Sequence, residues 1–193
     1  MLVTDDRLLG GRDVVDIARR AVAGGATAVQ LRLKSASART LVELARRLLD
    51  AVAVPVLVND RPDVALAAGT GVHLGPEDLP ASLARRLLGG PAIIGVSVGT
   101  AGEAANGEAG DYWGVGPFRG TTTKLDAGPA LGLEGFRRIV TLAGAKPCIA
   151  VGSVRPEDVR QILEAGGAGV AVASGILARD DIEAAAAAYR IQG

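Results

Sequence analysis

The feature of this sequence that most constrains its fold is a regular alternation of short β-branched runs with segments of helical periodicity. Eight strand-like runs occur, each followed by a helical pattern. The predicted strands lie near residues 1–4, 27–33, 55–59, 71–74, 92–97, 111–116, 147–152 and 168–173. The predicted helices lie near residues 12–23, 37–51, 61–68, 80–88, 100–109, 132–142, 155–165 and 180–190. Such alternation is typical of a parallel sheet covered by helices.

Eight consecutive units favour an α/β fold of one kind, a closed (β/α)8 TIM barrel, with an open doubly wound sheet as the alternative. The chain has 193 residues, fewer than the ~250 typical of such barrels, so we expect a compact barrel with short loops. Glycines end the helical patterns before every second strand, at Gly24, Gly69, Gly110 and Gly166. No linker divides the chain, and we predict a single barrel domain over residues 1–193.

The composition excludes several function classes. The 21 basic and 21 acidic residues balance, so no cationic surface for nucleic acid or for an anionic membrane is indicated. No apolar run approaches the ~18 residues of a membrane span, and no signal-peptide pattern precedes the first strand, so we expect a cytoplasmic protein. The single cysteine, Cys148, excludes an internal disulfide, and the single histidine, His73, excludes a multi-histidine metal site. We interpret His73 as a packed strand residue.

Functional residues of a (β/α)8 barrel lie at the carboxyl ends of its strands. In the second strand, alternation puts Gln30, Arg32 and Lys34 on one face and apolar residues on the other. The apolar face must contact the helices, so the three polar side chains point inward. Buried charges are costly unless they meet a ligand or a counter-charge. The pattern predicts either an anion site or a polar layer closed by internal salt bridges.

Two carboxylates follow neighbouring strands. Asp60 comes directly after the third strand, next to Asn59, and Asp78 follows the fourth. Adjacent strand axes lie ~4.8 Å apart, so the two carboxylates can share one hard cation such as Mg²⁺. The alternative is that each carboxylate only caps the helix that follows it, since a proline lies two residues beyond each.

The remaining strand ends carry hydroxyls, glycines and one lysine. They are Ser97 after the fifth strand, Thr121, Thr123 and Lys124 after the sixth, Gly152 and Ser153 after the seventh, and Ala173 and Ser174 at the eighth. Loops after strands seven and eight of this fold commonly bind phosphate through backbone N–H groups, although tight turns would also explain the glycines. The mouth is predicted to hold a cationic, metal-assisted site suited to pyrophosphate, beside a neutral cradle suited to a phosphomonoester.

Several short motifs occur in a fixed order along nearly the whole chain. They are Val3-Thr4-Asp5, Gln30-Leu31-Arg32 with Lys34, Val58-Asn59-Asp60-Arg61, Gly71-Val72-His73-Leu74-Gly75 with Glu77-Asp78-Leu79, Gly95-Val96-Ser97, and Gly114-Val115-Gly116-Pro117 with Thr121, Thr123 and Lys124. Together they resemble the thiamine-phosphate synthase family. The resemblance implies a transferase that couples hydroxymethylpyrimidine pyrophosphate to thiazole phosphate by a dissociative, Mg²⁺-assisted substitution. The products would be thiamine phosphate and pyrophosphate.

Carried over position by position, the resemblance implies a role for each polar group at the mouth. Asp60 and Asp78 match the family's Mg²⁺ ligands. The family's pyrophosphate contacts match Arg32, Lys34, Asn59 and Lys124. These four residues and Ser97 are the predicted catalytic residues. Gln30 and Ser97 match the pyrimidine pocket, and Ser97 also lies close to the leaving group. The thiazole phosphate contacts match Thr121, Thr123, Gly152, Ser153, Ala173 and Ser174.

The chain departs from the family pattern at three places. Leu33 stands where the family usually has Glu, Ser153 replaces the second glycine of a pair, and residues 118–120 lack the usual proline before the first threonine. A Cβ at position 153 would crowd the phosphate or demand a different φ.

These departures keep two alternatives open. One is a thiazole tautomerase-like isomerase, although such enzymes use a histidine where this chain has Pro117 and lack the metal carboxylates. The other is a non-catalytic, ligand-binding relative of the synthase. Small-molecule substrates are the expected partners, and a homo-oligomer is compatible with the sequence.

Overall fold

The computed structural model describes residues 1–120 and 128–190. Within them, parallel strands form one eight-stranded sheet in sequence order. Strands β1 to β8 are Leu2–Val3, Val29–Leu31, Val56–Asn59, Gly71–Leu74, Ile94–Ser97, Tyr112–Val115, Cys148–Val151 and Gly169–Ala171. A parallel bridge between Leu2 and Val172 joins β1 to the chain just beyond β8 and closes the sheet. The predicted (β/α)8 barrel is therefore confirmed.

Helices follow the strands along the chain and cover the outside of the barrel. In the described residues, α1 to α10 are Asp6–Leu9, Val14–Ala23, Ala38–Ala51, Pro62–Ala68, Ala81–Leu88, Ala104–Gly107, Gly132–Ala143, Val159–Glu164, Ser174–Leu177 and Ile182–Ala187. Turns of 3₁₀ helix, Ala101–Glu103 and Pro156–Asp158, precede α6 and α8. The longest helix, α3, begins where the Ser37 side chain accepts a hydrogen bond from the backbone N–H of Thr40, which satisfies one of its unpaired donors.

Two predicted helices are shorter in the structure than the sequence indicates. The pattern over 100–109 is reduced to a 3₁₀ turn and one helical turn, α6, because two glycines, Gly102 and Gly107, lower its helix propensity. Gly107 is also needed for packing, since a Cβ there would collide with the Trp113 indole. The pattern over 180–190 is helical only in α10. Within residues 1–120 and 128–190, no helix combines the length and the apolarity that crossing a bilayer requires.

The core lies between the outer face of the sheet and the apolar faces of the helices. Leu31 and Val58 on the strands and Leu48 on α3 are fully buried there. Gln30, between the apolar positions of β2, is also buried, but its side chain hydrogen-bonds Tyr112 across the barrel interior. The predicted alternation is thus observed within β2, but the strand ends at Leu31, so Arg32 and Lys34 lie beyond it and not on it as predicted.

Candidate active site at the mouth of the barrel

Two carboxylates and one ammonium group meet over the ends of β2, β3 and β4. The Lys34 Nζ lies 3.0 Å from Oδ2 of Asp60, and Asp78 interacts with both Asp60 and Lys34. Asp60 has a positive φ of 64°, and its N–H continues the β3–β4 ladder by donating to the carbonyl of His73 at 2.8 Å. We call the cluster of Lys34, Asp60 and Asp78 the carboxylate side of the site.

Asp78 is held by its own loop. Its Oδ2 accepts a hydrogen bond of 2.6 Å from the N–H of Gly75. Burial raises the pKa of Asp78 to about 6; the neighbouring Asp60 adds to the rise, while the Gly75 N–H and Lys34 oppose it. One ammonium group therefore faces two carboxylates. The two carboxylates predicted as metal ligands therefore lie together, and their role as ligands stays a prediction.

Arg32 lies at the same mouth with a charge partner of its own. Its Nη1 lies 2.5 Å from Oδ2 of Asp5, which is buried at the end of β1. The Arg32 N–H donates to the Thr4 hydroxyl at 2.8 Å. The internal salt bridges predicted as one alternative for the polar face are therefore observed at Arg32 and Lys34, and the anion site stays a prediction. Sequence reasoning did not assign Asp5 a role, although the Val3-Thr4-Asp5 motif contains it.

A column of hydrogen bonds runs up the inside of the barrel towards Ser97. The Tyr112 hydroxyl lies 2.9 Å from Nδ1 of His73, and Nε2 of His73 lies 3.0 Å from Oγ of Ser97. Gln30 hydrogen-bonds Tyr112 from the opposite side, and burial holds the pKa of Tyr112 well above its ordinary value. Space for the column depends on Gly95, where a Cβ would collide with Tyr112 and approach His73 Nδ1 to 2.5 Å.

His73 is therefore more than the packed strand residue that the sequence indicated. It links the predicted pocket residues Gln30 and Ser97 through Tyr112. The strand register pairs Asn59 with His73 and His73 with Gly95, which puts the histidine one layer below Ser97. Alternation within β4 was the signal that could have found this inward position.

Cavities lie on either side of the carboxylates. One of about 390 Å³ is lined by Asp78 and Ser97 together with Pro76, Pro80, Gly102, Glu103 and Asn106. A smaller one of about 140 Å³ is bordered by Lys34, Asn59 and Asp60 with their apolar neighbours. Five of the residues predicted for this half, Lys34, Asn59, Asp60, Asp78 and Ser97, thus border open space.

The opposite half of the mouth is built from backbone turns. Gly152 and Ser153 follow β7 with positive φ angles of 97° and 49°, and a Cβ at Gly152 would come within 2.8 Å of Pro117. Ser153 therefore has a Cβ at a φ that favours glycine. Ala173 precedes α9, whose first residue is Ser174. We call Gly152, Ser153, Ala173 and Ser174 the cradle side of the site.

The predicted loop residues Thr121, Thr123 and Lys124 lie outside the described residues. The segments on either side are fixed close to the cradle side. The N–H of Phe118 donates to the carbonyl of Val151 at 2.7 Å, and the N–H of Gly132 returns to the carbonyl of Phe118 at 3.0 Å. The shared juxtaposition of Lys34, Asp60, Asp78 and Lys124 predicted from the sequence is therefore present for the first three and stays a prediction for Lys124.

Comparison with known proteins assigns this arrangement to a family. A family model described as thiamine monophosphate synthase matches residues 1–176. The chain belongs to the thiamine monophosphate synthase family. Thiamine-phosphate synthase of Moorella thermoacetica is 44% identical over 195 residues, covering 98% of this chain and 92% of that protein. The same enzyme of Syntrophomonas wolfei is 45% identical, with 98% and 93% covered.

Solved structures give the same assignment. A thiamine phosphate pyrophosphorylase from Pyrococcus furiosus superimposes with a TM-score of 0.84 at 34% identity, covering 97% of this chain and 92% of that one. Phosphoribosyl anthranilate isomerase from Thermus thermophilus, at 18% identity and a TM-score of 0.64, shares the fold alone. The family resemblance, the barrel fold and the predicted thiamine-phosphate synthase activity, a transferase reaction, are confirmed.

Proposed function

We propose that the chain couples hydroxymethylpyrimidine pyrophosphate to thiazole phosphate at the mouth of the barrel. The products are thiamine phosphate and pyrophosphate. One observation carries the proposal: Asp60 and Asp78 meet beside Lys34 at the ends of neighbouring strands. This cluster adjoins the cavity that Ser97 lines. A pair of carboxylates next to a cation suits a metal-bound pyrophosphate, which an isomerase of a monophosphate does not require.

The donor set on the carboxylate side fits Mg²⁺. In the described residues no group of three or more His, Cys, Asp or Glu side chains forms a complete metal cage. Mg²⁺ is commonly held by only one or two carboxylates, with substrate phosphates and waters completing its octahedron. Asp60 and Asp78 would supply the protein ligands. When bound, the ion supplies charge stabilisation to the departing pyrophosphate.

The cationic side chains around the carboxylates would orient the same leaving group. Lys34 is half exposed and can reach a phosphate oxygen while its amine stays beside Asp60. Asn59 borders the adjoining cavity, and Arg32 is held in place by Asp5. Lys124 is proposed as the further cation, from the loop after β6. Fixed charges of this kind stabilise negative charge as it develops and need no reorganisation.

The inner column would receive the pyrimidine. Gln30 and Ser97 offer an amide and a hydroxyl, and the Ser97 hydroxyl is oriented by His73. In the dissociative substitution, pyrophosphate leaves with the bonding electron pair, and the pyrimidine methylene becomes a stabilised cation. The thiazole nitrogen then bonds to that methylene carbon. No proton must be removed from carbon, so the site needs orientation and charge stabilisation rather than a strong base.

The cradle side would bind the phosphate of the thiazole. Small residues let a phosphate approach the backbone N–H groups of Gly152 and Ser153, and Ala173 and Ser174 would add donors at the start of α9. Thr121 and Thr123 are proposed as hydroxyl contacts from the loop after β6. Binding the two substrates on opposite halves of one mouth would hold the thiazole nitrogen against the pyrimidine methylene.

The proposed function is tested by incubating the protein with both substrates and Mg²⁺. Formation of thiamine phosphate and an equal amount of pyrophosphate is the expected result, with each single-substrate mixture as the control. Excess chelator should abolish turnover. Isomerised thiazole without coupling would instead favour the tautomerase, and binding without either product would favour the non-catalytic relative.

A further inference from the structure

A buried carboxylate outside the sites described so far lies behind the cradle side. Asp158 ends the 3₁₀ turn after β7, and its side chain is only 1% exposed. Its oxygens accept hydrogen bonds from Nε and Nη2 of Arg119, from the N–H of Arg155 at 2.9 Å and from Nε2 of Gln161 at 2.9 Å. Burial would raise the pKa of Asp158, but these bonds outweigh it and hold the pKa below its ordinary value.

Arg119 reaches the cradle from two directions. Its backbone N–H donates to the carbonyl of Gly152 at 3.0 Å. Its guanidinium binds Asp158, which in turn accepts the N–H of Arg155. One residue from the loop after β6 therefore ties both ends of the turn from Gly152 to Arg155.

The turn from Gly152 to Arg155 contains one residue, Ser153, in an unfavourable backbone conformation. Ser153 has a φ of 49°, in the left-handed region that is unfavourable for a residue with a Cβ. The Arg119 side chain is itself oriented, since its guanidinium carbon lies 5.8 Å from the ring centre of Phe118. Phe118 is buried and packs edge-on against Phe136. Hydrogen bonds and ring contacts of Arg119 thus support a turn that contains a left-handed residue.

We propose that Arg119 and Asp158 form a positioning pair for the phosphate of the thiazole substrate. The inference rests on the proposed function of the cradle side. Arg119 does not bind the phosphate in this scheme, because its guanidinium is engaged by Asp158. It fixes the backbone N–H groups of Gly152 and Ser153 in the direction that a phosphate requires. Residues 118–120 depart from the family pattern, and the proposal assigns a positioning role to the arginine within them.

The first test is a split between kinetic constants. In Arg119→Ala, KM for thiazole phosphate should rise about tenfold, which is the size expected if one hydrogen bond from the Gly152 or Ser153 N–H to the charged phosphate is misaligned. KM for the pyrimidine pyrophosphate and kcat at saturation should stay within about twofold. Arg119→Lys should recover part of the loss, since a lysine keeps the charge without the two-pronged geometry. Asp158→Asn should raise KM for thiazole phosphate by a smaller factor in the Arg119→Ala background than in the unmodified protein, because the two residues act as a pair.

The matched control is the Arg85–Asp111 pair at the other end of the barrel. It has the same chemistry: Nη2 of Arg85 lies 2.6 Å from Oδ2 of Asp111, which also accepts the N–H of Ile94 at 2.7 Å. Arg85→Ala should lower the melting temperature and leave both KM values unchanged. An equal rise of both KM values in Arg119→Ala, or a rise in Arg85→Ala as large as that in Arg119→Ala, would overturn the proposal by reducing it to general stability.

A second measurement separates this inference from the proposed function. Without substrates, amide hydrogen exchange of Val154 and Arg155 should be faster in Arg119→Ala than in the unmodified protein, and inorganic phosphate should perturb the amide signals of Gly152 and Ser153 more weakly. If the unmodified protein does not couple the two substrates, the proposed function fails. The amide exchange rates and the response to phosphate still decide whether Arg119 and Asp158 order an anion site. Unchanged exchange and unchanged phosphate response in Arg119→Ala would refute the positioning pair even in an active enzyme.

Discussion

The two halves of the barrel mouth are built by different means. The carboxylate side consists of charged side chains, Lys34, Asp60 and Asp78, that compensate one another incompletely. The cradle side consists of backbone turns, with Ser153 in a left-handed conformation and support from Arg119 and Asp158. A charged half suits a metal-bound pyrophosphate, and a neutral half suits the phosphate that must stay on the product. The difference indicates that substitutions on the first half will act on rate and those on the second on affinity.

The largest effect is expected on the carboxylate side, from Asp60→Asn. Asparagine tolerates the positive φ of this position, so the backbone should persist while a metal ligand charge is lost. We expect kcat to fall about 100-fold or more, with a higher Mg²⁺ requirement, measured from initial rates across a Mg²⁺ series. Asp63→Asn, which removes an exposed partner of Arg61, is the control. Unchanged kcat in Asp60→Asn would show that the Asp60 carboxylate does not contribute to the rate of the reaction.

The next effect tests whether the loop after β6 contributes to rate as the carboxylate side does. Lys124→Ala should slow pyrophosphate release in a single turnover by about tenfold or more, because a cation that stabilises the leaving group is lost. Quenched-flow detection of pyrophosphate measures this step. Lys146→Ala serves as the comparison, since Lys146 donates to the carbonyl of Glu108 at 3.1 Å, away from the mouth. Equal single-turnover rates for both variants would remove Lys124 from the leaving-group site.

A smaller effect, confined to affinity, is expected from the cradle side. Ser174→Asp puts a negative charge at the first residue of α9, and its repulsion should raise KM for thiazole phosphate about tenfold. The uncharged Ser174→Asn has nearly the same size and should change KM far less. Steady-state kinetics with saturating pyrimidine pyrophosphate measure the difference. If both variants behave alike, charge at this position does not reach the phosphate.

Sequence patterns predicted the carboxylate side better than the cradle side, for a physical reason. Strand alternation and the position of a residue just after a strand are local properties, and they suffice to bring Lys34 and Asp60 to one mouth. The partner of Arg32 is Asp5, which is 27 residues away in the chain, and no local pattern indicates such a pair. The sequence of β4 alone indicates only packing for His73, because one strand does not reveal the Tyr112 and Ser97 groups that face it.

The cradle side depends on backbone angles that residue types only suggest. Glycine at 152 indicates a turn, but residue types alone do not show that Ser153 has a positive φ. The support for this turn was equally hidden. Arg119 and Asp158 are 39 residues apart. Arg119 alone resembles an ordinary loop residue, and Asp158 alone resembles an ordinary polar residue before a helix. Local patterns thus predicted the loops of the candidate site but not the contacts between distant residues that support one of them.

The smallest expected effect tests that hidden support directly, in Ser153→Gly. Glycine would relieve a left-handed strain of about 1–2 kcal/mol and lose about 0.5–1 kcal/mol through the greater freedom of the unfolded chain. The net gain of about 1 kcal/mol should raise Tm by about 2–4 °C, measured by calorimetry, with Ser174→Gly as a control that relieves no positive φ. KM for thiazole phosphate should change less than about twofold, because Arg119 already holds the turn in the same conformation. A fall in Tm would mean that Ser153 stabilises the turn and that the cradle side carries no strain for Arg119 and Asp158 to offset.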